Sequence, residues 1–256
     1  MDLPVNHFKR AIAGGNRPLG AWLSSGAPST AEALGYAGFD FLVVDMEHTP
    51  IDVVQMVDLL RTIAGTPAQA IVRPPWSDMV MVKRAMDAGA VSLLLPFVQN
   101  ADEARRAVAY TRYPPEGVRG VAGSHRGSRY GNVDNYLKRA NSEVCVIVQI
   151  ETVSALDRLE EIAAVPGVDS IFIGPADLSA SMGFLGDMGN PKVREKLADA
   201  AARCRRLGKP CGIIGANPET VGKYLEYGYS WAAIGSDISL MVGRAQEYLG
   251  RVRSLP

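Results

Sequence analysis

The chain has 256 residues, of which 47% are hydrophobic, and its 27 Lys and Arg residues balance its 27 Asp and Glu residues. So much apolar content excludes a disordered chain, and a net charge of zero gives no reason to expect a nucleic-acid partner or an anionic membrane. No apolar run reaches membrane-spanning length and the first ten residues hold no signal-peptide segment, so we expect one cytoplasmic domain, residues 1–256.

Eight short apolar runs follow one another along the chain, separated by segments with helical periodicity. Most of the runs are continuous rather than alternating, which favours strands covered on both faces, as in a parallel sheet. The predicted strands are Leu19–Leu23, Phe41–Val44, Gln69–Val72, Ser92–Leu95, Val144–Gln149, Ser170–Ile173, Cys211–Ile214 and Trp231–Ile234.

The segments between these strands predict helices, and glycine follows several of them, as is common at a helix end. The predicted helices include Ile51–Ala64, Met79–Ala88, Ala101–Tyr110, Thr152–Ala164, Pro191–Leu207 and Pro218–Tyr227. The glycines that precede the next strand are Gly38, Gly89, Gly167, Gly208 and Gly228.

Eight β–α repeats in about 250 residues is the size of a (β/α)8 TIM barrel. The alternative is a doubly wound open sheet, but no GxGxxG follows the first strand. One interval, 97–143, is too long for a single helix. It contains TRYPPEGVRGVAGSHRGSRYG and a further predicted helix near Val133–Ala140. A loop of this length in a compact domain is usually functional.

Cys145, Cys204 and Cys211 are an odd number of cysteines, and they lie far apart in the sequence. We expect free, buried thiols in a reducing compartment, because no CxxC pair suggests a zinc site.

Polar side chains lie at the ends of five of the predicted strands, and in a TIM barrel these carboxyl ends carry the chemistry. They are Asp45, Glu47 and His48 after strand two, Arg73 after strand three, Gln149 and Glu151 at the end of strand five, Asp177 after strand six and Asp237 after strand eight.

Glu151 and Asp177 follow two strands that lie side by side in a barrel. Two such carboxylates with open coordination positions suit Mg²⁺ or Mn²⁺. The alternative is that each carboxylate only faces the positive end of a helix dipole.

Arg73 and His48 allow two interpretations each. Arg73 either binds an anionic substrate or forms a structural salt bridge with Asp45 or Glu47. His48 is either a solvated helix cap or a general base beside the metal. We expect Asp237 to be only the N-cap of the last helix.

The motifs VDMEHTP, IVRPPW, QIET and IGPADLSASMG, taken together, resemble the metal-dependent (class II) pyruvate aldolases that cleave 2-keto-3-deoxy acids. These enzymes form part of the phosphoenolpyruvate-binding barrel superfamily. They include the 4-hydroxy-2-oxoheptanedioate, 2-keto-3-deoxyrhamnonate and 2-dehydro-3-deoxyglucarate aldolases. The resemblance covers nearly the whole chain, and TRYPPEGVRGVAGSHR and GKPCGI are most similar to the dehydrodeoxyglucarate branch.

The resemblance implies a role for each matching residue. Glu151 and Asp177 are expected to bind a divalent metal, Mg²⁺ or Mn²⁺, with Co²⁺ as a further option. His48 is the expected general base, and Arg73 is expected to bind the keto acid and stabilise the transition state.

Further roles follow from the same resemblance. Gln149 and the backbone of Ala176, beside Asp177, are expected to contact the substrate. Asp87 is expected to support the catalytic histidine of a neighbouring subunit. Met46 stands where the family commonly has Gly, which we expect to alter only packing behind the site.

A pyruvate enolate can be stabilised by a Schiff-base lysine or by a metal acting as a Lewis acid. None of the seven lysines follows a strand, and Lys209 precedes strand seven, at the wrong end of the barrel. The sequence therefore predicts the metal route, without a Schiff-base lysine.

Two residues are expected to influence which aldehyde the site accepts, and the last helix is expected to influence assembly. The loop that holds Arg126 is expected to overhang the rim, so that Arg126 and Trp22, at the end of strand one, line the aldehyde pocket and favour short, hydroxylated, acidic aldehydes. The alternative is that the arginines of this loop form only a solvated surface patch. Segment Ile238–Arg253 has a wide apolar stripe, which either packs on its own barrel or, as the resemblance implies, is exchanged between the subunits of a homo-hexamer, a trimer of dimers.

The expected reaction is reversible cleavage of a 2-keto-3-deoxy acid, such as 2-dehydro-3-deoxyglucarate, to pyruvate and an aldehyde. The alternatives are 4-hydroxy-2-oxoheptanedioate or 2-keto-3-deoxyrhamnonate aldolase activity, another lyase or decarboxylase that uses the same enolate, and a barrel that binds oxo acids without turnover.

Overall fold

Eight parallel strands close into a barrel in sequence order in the computed structural model, which describes residues 1–255. Each predicted run lies in the strand of the same number, within two residues at either end, so the (β/α)8 barrel is confirmed. The strands are β1 Leu19–Leu23, β2 Phe41–Asp45, β3 Gln69–Arg73, β4 Ser92–Leu95, β5 Cys145–Ile150, β6 Ser170–Ile173, β7 Cys211–Gly215 and β8 Trp231–Ser236.

Helices surround the barrel, and the five glycines expected at helix ends all have positive φ angles, between 63° and 109°. The predicted helix Thr152–Ala164 is wrong in one respect, because it divides at Arg158 into two short helices. The helices are α1 His7–Ala13, α2 Pro28–Tyr36, α3 Val53–Ile63, α4 Met79–Asp87, α5 Ala101–Thr111, α6 Tyr136–Glu143, α7 Val153–Asp157, α8 Leu159–Ala163, α9 Pro175–Ser181, α10 Pro191–Arg206, α11 Pro218–Tyr227 and α12 Asp237–Arg253.

Helix α1 closes the end of the barrel at which the strands begin. Its apolar residues Phe8 and Ile12 are four positions apart, so both lie on one helix face, and both are buried. The Phe8 ring meets the rings of Phe41 and Trp231 edge to face, with centroids 5.2 and 5.3 Å away. This aromatic cluster fills the lower interior, which leaves the upper end of the barrel available for polar groups.

Glycine makes room for the largest side chain of that cluster. A Cβ on Gly212 would lie 2.1 Å from the ring of Trp231, so no larger residue fits there without displacing the indole. The indole N–H of Trp231 donates to Ser170 Oγ at 2.9 Å, so its polar atom is satisfied inside the core.

The last helix, α12, leaves the barrel after its first residue. Asp237 is buried, but Met241, Tyr248 and Leu249 are each more than half exposed. Packing of the apolar stripe on its own barrel, one of the two expectations for this segment, is therefore not what the structure shows. Within residues 1–255 no helix combines the length and hydropathy needed to cross a membrane.

Candidate active site

A cavity of about 390 Å³, here called the rim cavity, opens at the carboxyl ends of the strands. The strand exits bring together most of the residues expected to act there. Of the predicted site residues, those that line the cavity are Trp22, His48, Arg73, Gln149, Ala176 and Asp177. Glu151, the remaining predicted metal ligand, is buried directly behind this lining.

Arg73 is held in place by two carboxylates and an indole ring. Its Nε and Nη2 donate to the two carboxylate oxygens of Asp45, each at 2.9 Å, and its Nη1 lies 2.7 Å from Glu47 Oε2. The guanidinium carbon stands 4.1 Å from the Trp22 ring centroid. The expected structural salt bridge is thus present, yet each terminal nitrogen of Arg73 keeps a further N–H for an anion in the cavity.

Glu151 is buried between strands β5 and β6. Its Oε1 accepts the backbone N–H of Phe97 at 3.0 Å, and its Oε2 accepts the side-chain amide of Gln149. A Cβ on Gly174 would lie 2.6 Å from Oε2, so only glycine lets the backbone after β6 approach this carboxylate. Burial raises the pKa of Glu151 to about 7, against the smaller opposing effect of the Gln149 hydrogen bond.

The carboxylates of Glu47, Glu151 and Asp177 lie close enough to affect one another, with Asp45 beside Glu47. Burial also raises the pKa of Glu47, and the negative charges of Asp45 and Asp177 raise it further, while Arg73 lowers it. Glu47 and Asp177 likewise raise the pKa of Glu151. Carboxylates that repel one another in a partly buried site are stabilised by a cation, so the donor set fits a hard divalent metal.

These carboxylates do not form a complete metal cage. Among residues 1–255 no group of three or more His, Cys, Asp or Glu side chains is arranged to hold a metal ion unaided. Glu151 and Asp177 would therefore leave coordination positions for water or substrate oxygens, as is usual for Mg²⁺.

His48 stands at the mouth of the cavity. Its side chain is 63% exposed, and its Nε2 lies 3.8 Å from Glu47 Oε2. Helix α3 begins at Val53, with Asp52 as its N-cap, so His48 is not the cap of that helix. The imidazole is thus free to meet a substrate or a group from another subunit.

Three buried polar atoms of the site have no hydrogen-bond partner among residues 1–255, and one of them, Glu47 Oε2, is ion-paired with Arg73. The other two are the indole Nε1 of Trp22 and the amide Oε1 of Gln149, one donor and one acceptor. Buried polar groups are normally satisfied, so a ligand that carries both an acceptor and a donor would suit this pair.

Asp87 and Arg126 are not part of this chain's own rim cavity. Asp87 is the last residue of α4, at the end of the barrel where the strands begin. Arg126 Nη1 and Nη2 donate to the carbonyls of Ala88 and Leu60, at 2.8 and 3.2 Å. The expectation that the Arg126 loop overhangs the rim of its own barrel is wrong, because the loop packs on the opposite end.

The expectation that Asp237 is the N-cap of the last helix is wrong, because Ser236 caps α12. The Asp237 carboxylate instead accepts the backbone N–H groups of Ser24 and Ser25, at 2.8 and 3.2 Å, and the Thr30 hydroxyl at 3.2 Å. It therefore ties the loop after β1, and with it one wall of the cavity, to the start of α12.

The sequence reasoning missed most of the neutral wall of the cavity. Ile214 and Ala216 lie at the carboxyl end of β7, so the rule used for the other strand exits could have found them, whereas Met188 comes from the loop after α9. The further lining residues are Ser24, Phe172, Met188, Ile214, Ala216, Ser236 and Ser239. None of these is charged, so the positive charge in the lining comes from Arg73 and, when protonated, His48.

Comparison with known proteins places this arrangement among aldolases. Residues 19–243 match the family described as HpcH/HpaI aldolase/citrate lyase. The chain is 52% identical to the 2-dehydro-3,6-dideoxy-6-sulfogluconate aldolase of Pseudomonas putida, over 91% of each chain. It is 44% identical to the hydroxypyruvate/pyruvate aldolase of Sagittula stellata, over 94% of this chain and 95% of that one.

A solved structure of a protein from the same family is also similar to this chain. The HpcH/HpaI aldolase/citrate lyase family protein from Burkholderia cenocepacia J2315 superposes with a TM-score of 0.95 at 41% identity. The superposition covers 98% of this chain and all of the other.

Proposed function

The chain belongs to the HpcH/HpaI aldolase/citrate lyase family and is a carbon–carbon lyase, and from this premise we propose that it is a divalent-metal-dependent pyruvate aldolase acting on a 2-keto-3-deoxy sugar acid. The observation that carries the proposal is the cluster of Glu47, Glu151 and Asp177 beside Arg73, at the rim cavity and directly behind its lining. This cluster combines a cation site with a fixed positive charge.

Glu151 and Asp177 would hold the metal, Mg²⁺ or Mn²⁺ with Co²⁺ as a further option. When bound, the metal supplies a Lewis acid that polarises the keto group of the substrate. The charge of Glu47 also interacts with those of Glu151 and Asp177. We assign Glu47 to holding Arg73, however, because the two form an ion pair.

Arg73 would stabilise the enolate that forms when the C3–C4 bond breaks. Asp45 fixes the guanidinium before substrate arrives, so its charge needs no reorganisation during the reaction, which is the main advantage of a preorganised site. Comparable groups contribute about 3 kcal/mol of transition-state stabilisation.

His48 would take the proton of the C4 hydroxyl as that carbon becomes the aldehyde carbonyl. The electron pair of the broken C3–C4 bond passes to the pyruvate fragment, and a proton delivered to C3 completes pyruvate. The exposed position of His48 at the cavity mouth suits contact with the C4 hydroxyl, directly or through a water.

We propose that the active assembly is a homo-hexamer, a trimer of dimers in which α12 is exchanged between subunits. The exposed apolar residues of α12 support this, since a helix of this kind is stabilised by burial against another surface. The position of Asp87, far from its own rim cavity, supports its assignment to the histidine of a neighbouring subunit.

The proposed aldehyde partner is short, hydroxylated and acidic, as in cleavage of 2-dehydro-3-deoxyglucarate. Trp22, Phe172 and Met188 restrict the length that the cavity accepts. The relative from Pseudomonas putida is named for a substrate with an anionic sulfonate, which favours the same charge class. Arg126 of the same chain does not take part in this recognition, because it lies at the other end of the barrel.

The proposal is tested by a screen of 2-keto-3-deoxy acids, with pyruvate release measured in Mg²⁺, Mn²⁺, Co²⁺ or EDTA. Metal-dependent pyruvate release is the expected result, with Glu151→Gln as the inactive control. Binding of pyruvate without cleavage of any substrate would instead indicate a barrel that holds oxo acids without turnover.

A further inference from the structure

A group of polar side chains surrounds Asp87 at the end of the barrel opposite the rim cavity. Two of them, Arg119 and His125, belong to the motif TRYPPEGVRGVAGSHR. Arg119 Nη2 donates to Asp87 Oδ1 at 2.7 Å, and His125 Nε2 lies 3.7 Å from the same oxygen. The proposed reaction uses Asp87 but gives these neighbours no role.

Arg119 is among the largest fully buried side chains of the protein, with 1% of it exposed. Its guanidinium carbon lies 4.3 Å from the Tyr113 ring centroid, and its backbone N–H donates to the carbonyl of Arg112 at 2.9 Å. Asp87 is the one carboxylate within residues 1–255 that forms an ion pair with it. A buried guanidinium is costly unless paired, and because Arg119 Nε has no hydrogen-bond partner among residues 1–255, the contact with Asp87 is its main compensation.

The position of Asp87 at the end of a helix is, by itself, unfavourable for the stability of the folded chain. It is the last residue of α4, and a carboxylate at a helix C-terminus faces the negative end of the helix dipole. Arg119 offsets this repulsion through Oδ1. The Asp87 side chain remains 26% exposed, and Oδ2 has no hydrogen-bond partner in the part of the chain that the structure describes.

Arg119 is the cation of this group. Burial lowers the pKa of His125, so the imidazole is neutral at neutral pH and does not compensate the charge of Asp87. Burial also raises the pKa of Tyr113 to about 12, so the phenol that lies 3.4 Å from His125 Nε2 is neutral as well.

We propose that Arg119 is a positioning residue for the aldol reaction: it binds one oxygen of Asp87 and leaves the other turned outward to accept the imidazole N–H of His48 of the partner subunit. The inference rests on the proposed function, in which Asp87 serves a neighbouring site. Arg119 itself touches no substrate, and its effect reaches the chemistry only through the orientation of that carboxylate.

Arg119→Gln should lower kcat roughly tenfold and leave KM for the keto acid unchanged, because misplacing a catalytic group affects the transition state more than ground-state binding. Arg119→Lys, which keeps the charge, should recover part of kcat. The matched control is Arg203→Gln, which removes an arginine paired with Glu160 on the surface and should leave kcat unchanged.

A double variant separates positioning from folding. If Arg119 acts only through Asp87, then Asp87→Asn with Arg119→Gln should have the kcat of Asp87→Asn alone. A further loss of kcat in the double variant would overturn the proposal. This comparison also serves if Arg119→Gln alone does not fold, since the double variant leaves neither charge unpaired.

Mixed assemblies give the decisive test. Two variants with different affinity tags are co-expressed, and only assemblies that carry both tags are assayed. Assemblies of His48→Ala and Asp87→Asn subunits should recover activity, because some sites then contain an intact His48 and an intact Asp87. If these assemblies stay inactive, the site is not shared between subunits, and that part of the proposed function is wrong.

Arg119→Gln should behave as Asp87→Asn does in these mixtures. With His48→Ala subunits it should give several-fold more activity than the mean of the two parents, whereas with Asp87→Asn subunits it should give no gain. Either of two results would show that Arg119 does not act through Asp87. The first is a gain of activity when Arg119→Gln is mixed with Asp87→Asn subunits. The second is no gain when Arg119→Gln is mixed with His48→Ala subunits, although Asp87→Asn gains activity in the same mixture.

Discussion

Arg73, at the end of β3, donates two parallel hydrogen bonds of 2.9 Å to the carboxylate of Asp45 on the neighbouring strand β2. The register of the sheet places these two residues opposite each other, so the strands themselves align the pair. Both side chains are buried, which makes the geometry stiff. The arginine is thus fixed at the floor of the rim cavity before any ligand binds.

Asp45→Asn should weaken catalysis by removing this support. We expect kcat to fall by one to two orders of magnitude, roughly the loss caused by misplacing a charged group, and the free energy of unfolding to fall by about 3 kcal/mol. Steady-state kinetics and urea unfolding measure the two effects. Glu160→Gln, which weakens a half-exposed arginine–carboxylate pair away from the site, is the control; it should leave kcat unchanged and lower the free energy of unfolding by no more than about 1 kcal/mol. Wild-type kcat in Asp45→Asn would contradict the role assigned to the pair.

The buried Glu151 should make the metal-free protein more stable at lower pH. Its pKa is about 7 in the folded chain and near 4.5 when unfolded, so between these values the folded state holds a proton that the unfolded state has released. Stability should therefore decline as pH rises through this window, by on the order of 2 kcal/mol from this group.

Urea unfolding in EDTA between pH 5 and 7.5 measures this dependence. Glu151→Gln should reduce the slope without abolishing it, because the raised pKa of Glu47 acts with the same sign. Identical slopes in the wild type and the variant would show that Glu151 titrates normally in the folded protein.

His48→Ala should slow cleavage far more than it weakens pyruvate binding. Loss of a general base typically costs about 10²–10⁴ in rate. Asp87→Asn should act in the same direction but less strongly, since the imidazole remains. Kinetics and pyruvate titration give the two quantities, and His7→Ala, an exposed histidine on α1, is the control. Full activity without His48 would remove it from the mechanism.

The exposed apolar face of α12 should hold the assembly together. Met241→Asp with Leu249→Asp should shift the protein to smaller species in light scattering, because a charge is expensive to bury in an interface. Activity should fall in parallel if sites are shared between subunits. Gln246→Glu, a charge change at a polar position of the same helix, should leave the assembly intact. A wild type that is monomeric at micromolar concentration would refute the oligomer.

The regular part of the fold was predictable from the sequence, because most of the buried strands are continuous apolar runs and several of them lead directly into polar residues. The same pattern located His48, Arg73 and Glu151. It could not find α1, since a seven-residue helix with only two large apolar residues gives too weak a periodic signal. The break at Arg158 was likewise invisible in a segment whose composition favours helix throughout.

Long-range placement was the harder problem. Nothing in the sequence says whether a loop folds over the top of a barrel or underneath it, which is why Arg126 was expected at the wrong end. Its true position follows from contacts with the carbonyls that end α3 and α4, and those depend on the whole chain being folded. Asp237 was misread for a similar reason, because its partners Ser24 and Thr30 are more than 200 residues away in sequence.

The central claim, that Glu151 and Asp177 hold the metal on which cleavage depends, is tested most directly by titrating Mn²⁺ into the wild type, Glu151→Ala and Asp177→Ala in a calorimeter. Circular dichroism on each sample verifies that the barrel remains folded. The wild type should bind Mn²⁺ and release pyruvate from a 2-keto-3-deoxy acid, and both folded variants should lose binding and cleavage together. Undiminished Mn²⁺ affinity in both folded variants would contradict the assignment.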